Sequence, residues 1–191
     1  TIKSLVTKGY FPVVIGQKDH VEVKGIVGDL EAHLVINNED DFEKIESSGN
    51  RKLGIVSQTT QQTDKVEGLV EKIKALDYVD DVAFVNTICQ PTQDRQVAVH
   101  ELADQVDLMV VIGGLNSSNT KKLVQVCEEK GVEAHHIESF HQLDQEWFIN
   151  KQHVGITAGT STPEEIINQV HSEILKMAKK VEGLEEKALH P

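Results

Sequence analysis

The chain alternates short apolar runs with longer polar stretches of helical periodicity. Each apolar run is rich in Val, Ile and Leu, and ends in a loop of Gly, Ser, Thr or Asn. Such alternation is typical of a parallel sheet covered by helices on both faces, and it predicts an α/β fold. Strands are predicted at 11–16, 33–36, 53–57, 82–87, 108–113, 134–138 and 154–157, and helices at 40–46, 63–76, 93–105, 119–130 and 163–180.

The same pattern occurs twice along the chain. Val13-Val14-Ile15-Gly16 corresponds to Val110-Val111-Ile112-Gly113, and Gly54-Ile55-Val56 corresponds to Gly155-Ile156-Thr157. A repeat on this scale indicates two similar parallel-sheet α/β modules. We expect the modules at 1–87 and 88–180, followed by a charged C-terminal tail at 181–191 that lacks a sustained apolar face.

The composition narrows the range of partners. Hydrophobic residues make up 39% of the chain and aromatic residues 4%, so the core must be aliphatic. No apolar run approaches the roughly 20 residues that cross a bilayer, so we expect a cytoplasmic protein with no membrane partner. The formal net charge of −12 disfavours nucleic acid. A small phosphorylated ligand remains possible if neutral side chains and helix N-termini bind it.

Two polar segments follow predicted strands and precede predicted helices, where N–H groups bind anions. Asn116-Ser117-Ser118-Asn119 carries hydroxyl and amide groups at the start of the helix at 119–130. Ser161 precedes Thr162 and Pro163, which are typical of an N-cap and a first helical residue. The local sequence leaves two alternatives open for each segment, an ordinary helix cap or a phosphate site.

The loop after the first predicted strand carries a titratable pair, His20 and Glu22. An imidazole can donate to a phosphate, and a partly buried carboxyl group can carry a proton near neutral pH. The alternative is that both side chains lie on the solvated face of the following helix. Ser57-Gln58-Thr59-Thr60 is a second polar loop predicted at the same edge of the sheet.

The sequence contains two cysteines. Cys89 follows a predicted strand and precedes a helix, a position that suits a metal ligand but equally a small buried residue. Cys127 lies between apolar residues of a predicted helix, and we expect it to pack in the core. His135 and His136 have no cysteine or carboxylate at ligand spacing, so we expect structural roles for both.

Together, these segments resemble the 4-hydroxy-3-methylbut-2-enyl diphosphate reductases, the LytB/IspH family of the non-mevalonate isoprenoid pathway. The match in order and spacing extends over residues 1–178. The motifs that carry it are His20-Val21-Glu22-Val23-Lys24-Gly25, Ser57-Gln58-Thr59-Thr60, Ile88-Cys89 with Thr92 and Arg95-Gln96, Asn116-Ser117-Ser118-Asn119, and Gly155-Ile156-Thr157-Ala158-Gly159-Thr160-Ser161-Thr162-Pro163.

The resemblance implies an iron–sulfur enzyme that reduces an allylic diphosphate to isopentenyl and dimethylallyl diphosphates. Its electrons would come from an external donor such as ferredoxin or flavodoxin. Members of the family have three similar modules around a cavity and hold a [4Fe-4S] cluster with one cysteine per module, and Cys89 corresponds to the third. Glu22 with Thr59 would deliver the proton that releases the substrate hydroxyl as water. The implied substrate-binding residues are His20, Thr59, Ser117, Ser118, Asn119 and Ser161.

The resemblance also implies that this chain lacks part of the family's structure. The family's first module and the other two cluster cysteines would precede Thr1, and Cys127 matches no ligand position. We therefore expect the 191-residue chain to be inactive alone. The alternative is an α/β module that binds a small diphosphate without a cluster.

Overall fold

The computed structural model describes the backbone of residues 1–189 and the side chains of residues 1–179. These residues form two parallel β-sheets with α-helices between the strands, which confirms the predicted α/β fold. The strands are β1 (Phe11–Ile15), β2 (Leu34–Ile36), β3 (Lys52–Ser57), β4 (Asp81–Val85), β5 (Leu108–Ile112), β6 (Glu133–Ile137) and β7 (Val154–Ala158). The helices are α1 (Ile2–Thr7), α2 (Val21–Val27), α3 (Phe42–Ser48), α4 (Thr63–Lys74), α5 (Gln90–Ala103), α6 (Ser118–Glu129) and α7 (Glu164–Leu189).

Contacts within the chain define two compact units, Thr1–Gln93 and a second unit that begins at Asp94. The sheet of the first unit has the strand order β2-β1-β3-β4, and the sheet of the second has the order β6-β5-β7. In each unit the first strand therefore lies between the second and the third. The division falls inside helix α5, and the module limits of 1–87 and 88–180 stay a prediction.

The repeated glycine of the third strand has the same packing role in both units. A Cβ at Gly54 would lie 2.9 Å from Cβ of Leu5 on helix α1. A Cβ at Gly155 would collide with Sδ of Met109 on strand β5 and would lie 3.0 Å from a methyl group of Leu102 on helix α5. Both distances are shorter than normal carbon contacts, so each glycine permits a helix to lie directly on its sheet.

Several element boundaries differ from the predictions. Strand β4 ends at Val85, because Asn86 Oδ1 accepts from the Ile88 N–H at 3.0 Å and turns the chain. Helix α5 begins at Gln90, with Pro91 in its first turn. Helix α7 continues to Leu189, so the backbone of the predicted tail is helical up to that residue. Residues 190 and 191 lie outside the described residues. Within the part of the chain that the structure describes, no helix has the length and apolar character to span a bilayer.

Candidate functional site

His20 and Glu22 lie at the start of helix α2, just beyond the carboxyl end of β1. His20 is the N-cap, and its Nδ1 accepts from the Glu22 N–H at 3.2 Å. In the neutral ring the proton is therefore on Nε2. The half-buried Glu22 side chain accepts through Oε1 from the Thr59 N–H at 2.8 Å. The Glu22 carboxylate is thus held against the Thr59 loop and does not simply extend into solvent.

Thr59 also connects to Cys89. Its carbonyl oxygen accepts from the Cys89 N–H at 3.2 Å, so the backbone of Thr59 links the Glu22 helix to the cysteine loop. Cys89 is half-buried immediately before helix α5, and its Sγ lies 2.8 Å from Oγ1 of the fully buried Thr92. The first unit therefore brings together four of the predicted site residues, His20, Glu22, Thr59 and Cys89.

Sequence reasoning missed the role of Gln58, which is only 1% exposed. Its Oε1 accepts from the Gln17 N–H at 3.1 Å, and its Nε2 donates to Thr60 Oγ1 at 2.9 Å. Gln58 therefore ties the loop after β1 to the loop after β3. The sequence feature that could have revealed this role is an amide side chain directly after a buried strand, where a polar group needs hydrogen-bond partners.

In the second unit, Ser117 caps helix α6. Its Oγ accepts from the Thr120 N–H at 3.2 Å, and Ser118 is the first residue of the helix. Asn119 is 4% exposed, and neither its amide oxygen nor its amide nitrogen has a hydrogen-bond partner among the described residues. Such unpaired buried polar groups are uncommon and favour a site for a polar ligand.

Thr120 brings the two candidate anion loops together. A Cβ at Gly113, after β5, or at Gly159, after β7, would collide with the Thr120 hydroxyl. The exposed Ser161 follows Gly159 in the chain, so the structure brings its loop close to the loop of Ser117, Ser118 and Asn119. Thr162 was predicted to be the N-cap of helix α7, but that helix begins at Glu164. The Thr162 hydroxyl instead donates to the Ile112 carbonyl at 3.0 Å.

The candidate metal ligands are few. Cys127 is fully buried among apolar residues, as predicted, and burial raises the pKa of its thiol to about 11. Among the described residues, no group of three or more His, Cys, Asp or Glu side chains could hold a metal ion. An iron–sulfur cluster is held by several cysteine thiolates. Cys89 alone does not meet that requirement, so the described residues do not form a cluster site.

The chain is therefore an α/β protein in which polar loops that could bind a ligand follow the carboxyl ends of the parallel strands. A model of the LytB protein family matches residues 1–175, so the chain belongs to the LytB protein family.

Several proteins similar to this chain carry the name 4-hydroxy-3-methylbut-2-enyl diphosphate reductase. The protein from Aquifex aeolicus is 40% identical over 179 residues, which cover 92% of this chain and 61% of that protein. The protein from Pelobacter propionicus is 41% identical over 182 residues, which cover 94% of this chain and 63% of that protein. The chain therefore spans less than two thirds of the length of these relatives.

Solved structures show the same likeness. The structure of E-1-hydroxy-2-methyl-but-2-enyl-4-diphosphate reductase from Plasmodium falciparum is 30% identical, with a TM-score of 0.82 over 90% of this chain and 54% of that chain. A structure of (E)-4-hydroxy-3-methyl-but-2-enyl diphosphate reductase is 39% identical, with a TM-score of 0.54 over 92% of this chain.

Proposed function

We propose that this chain supplies the diphosphate-binding residues and the proton donor of a 4-hydroxy-3-methylbut-2-enyl diphosphate reductase. The observation that carries the proposal is Asn119, a buried amide without a partner at the start of helix α6, in a chain of the LytB family. Ser117 and Ser118 lie beside it, and neutral donors of this kind bind a diphosphate without a positive field. His20 and Ser161 would complete the set of diphosphate ligands.

The reaction breaks the carbon–oxygen bond of the allylic hydroxyl and releases water. Glu22, linked to the Thr59 backbone at 2.8 Å, would donate the proton to the departing oxygen, and the Thr59 hydroxyl would orient the substrate hydroxyl. Two electrons and a second proton complete isopentenyl or dimethylallyl diphosphate. The electrons must come from a group that the described residues do not hold, delivered by a donor such as ferredoxin or flavodoxin. Cys89 would contribute one thiolate to a [4Fe-4S] cluster whose other ligands lie outside this sequence.

Binding of inorganic pyrophosphate to the 191-residue chain tests the diphosphate site by isothermal titration. We expect Asn119→Leu to weaken binding by about tenfold or more, because a hydrogen bond to a charged group contributes about 1.5–3 kcal/mol. Its thermal stability should hold or rise, since the buried amide has no partner to lose. The exposed Asn116 of the same loop provides the matched control, Asn116→Leu. Equal affinity in both variants contradicts the assignment of Asn119.

The proton donor is tested in a protein that also contains the remaining cluster ligands. Glu22→Gln should abolish turnover and leave substrate affinity nearly unchanged, because the amide oxygen still accepts from the Thr59 N–H. Turnover that survives in this variant would show that another group donates the proton.

A second function, a diphosphate-binding module without a cluster, is favoured by the single half-buried thiol at Cys89. Anaerobic reconstitution of the chain with iron and sulfide tests whether Cys89 can hold a cluster without further cysteine ligands. We expect little visible absorption, and a stable cluster in the isolated chain would refute our count of the ligands. Upstream coding sequence with two further cysteines in frame would support the reductase, and a stop codon there would support the module.

A further inference from the structure

Two side chains at the end of strand β6 hold the segment that leads into helix α6. His136 Nε2 lies 2.9 Å from the Gly113 carbonyl oxygen, and the Leu115 N–H donates to Glu138 Oε1 at 2.8 Å. Because a carbonyl oxygen only accepts, His136 carries its proton on Nε2. The two ends of the segment 113–115 are therefore anchored separately.

This segment sets the position of the candidate anion loop. Gly113 and Gly114 are adjacent, and glycine backbones have more conformational freedom than any other residue. The turn that follows is closed by the Ser117 N–H, which donates to the Gly114 carbonyl at 2.8 Å. Ser117 then caps α6. A shift of Gly113 or Leu115 would be transmitted through this turn to Ser117, Ser118 and Asn119.

We propose that His136 and Glu138 are positioning residues that order the loop 116–119 before a diphosphate binds. The inference rests on the proposed diphosphate function of that loop. Neither side chain needs to touch the ligand. Their effect is on affinity, because a loop already fixed in its binding conformation loses less conformational entropy when the ligand arrives.

The neighbouring His135 provides a matched control. Adjacent residues of a strand point to opposite faces of the sheet. His135 stacks on Trp147 with ring centroids 3.8 Å apart, and its Nε2 lies 2.9 Å from Glu133 Oε1. His135 and His136 are both satisfied histidines, as the sequence predicts, but only His136 contacts the segment before α6.

The test compares His136→Leu, His136→Gln, Glu138→Leu and His135→Leu in the 191-residue chain. Hydrogen exchange reports the order of the amides at 114–119, and titration calorimetry reports the affinity for inorganic pyrophosphate. We expect His136→Leu and Glu138→Leu each to speed exchange in this loop and to weaken pyrophosphate binding about fivefold, the effect of one hydrogen bond. His136→Gln should restore both, because its Nε2 is the same number of bonds from Cβ and can donate to the Gly113 carbonyl.

His135→Leu should leave loop exchange and affinity unchanged, whatever its effect on stability. Glu138 is exposed, so its variant keeps the test valid even if His136→Leu does not fold. Unchanged loop exchange in the folded variants overturns the proposal, and so does faster exchange with unchanged affinity. If the unsubstituted chain does not bind pyrophosphate, the proposed function fails, and the exchange rates alone then decide whether His136 and Glu138 hold the loop.

Discussion

Gly113→Ala tests the close packing at the end of strand β5. Gly113 has a φ of +154°, which L residues rarely adopt, and a strained backbone residue costs about 1–3 kcal/mol. A Cβ there would lie 2.5 Å from Thr120 Oγ1 and 3.0 Å from Thr162 Oγ1. Relieving such an overlap in a packed interior costs about 1–3 kcal/mol more. We expect the free energy of unfolding to fall by about 2–6 kcal/mol, a large part of the roughly 5–15 kcal/mol of a typical domain.

Urea unfolding measures this loss, with the fluorescence of Trp147, the one tryptophan of the sequence, as the probe of the second unit. With a slope of about 2 kcal/mol per molar urea, the midpoint should fall by about 1–3 M. Gly114→Ala is the control, because a Cβ at Gly114 would meet only Glu138 Oε1 at an ordinary 3.8 Å. If Gly113→Ala and Gly114→Ala unfold at the same urea concentration, the contact between Thr120 and Gly113 is not as close as the structure has it.

Three further predictions concern the thiols and the dependence of stability on pH. A water-soluble thiol reagent should modify half-buried Cys89 in the native chain and fully buried Cys127 only after unfolding, and rapid modification of both native thiols would contradict the burial of Cys127. Since the pKa of Cys127 is raised from 9.0 to about 11, its neutral form stabilises the fold fully below pH 9. That contribution should be lost as the pH rises from 9 towards 11, and Cys127→Ala should reduce the slope of stability against pH in this range. The N–H groups of His153 and Gln152 lower the pKa of Asp107 below its ordinary value of 3.8, so its contribution is present above that pH and is lost below it. Asp107→Asn should therefore lose less stability than the parent chain when urea midpoints are compared across this acid range.

The sequence predicted which loops lie together better than it predicted the contacts between them. The carboxyl ends of parallel strands share one edge of a sheet, so loops after successive strands come together once the strands are recognised. Glu22 and Thr59 meet for this reason. The repeated glycines also indicated the packing of helices, because Gly54 and Gly155 each lie where a helix packs on the third strand of a unit.

Other features depend on tertiary contacts that no local pattern encodes. Val21-Glu22-Val23 alternates apolar and polar residues as a strand does, and Gly25 weakens a helical interpretation. The segment nevertheless forms helix α2, with His20 as its cap. Thr162 has the sequence signature of an N-cap, but the Ile112 carbonyl, distant in sequence, accepts from its hydroxyl. The link from Thr59 to Cys89 is a backbone hydrogen bond, so it cannot be predicted from the types of the two residues.

The backbone and the side chain of Thr59 have separate roles. Its two links, to the Glu22 carboxylate and to the Cys89 N–H, both use backbone atoms. Any amino acid with an N–H group and the same backbone conformation can therefore preserve them. The side chain is free to change without disturbing the spacing of the carboxylate and the thiol. Under the proposed function, substitution at this position would change the groups that the side chain offers to a ligand, while the spacing of the Glu22 carboxylate and the Cys89 thiol would stay the same.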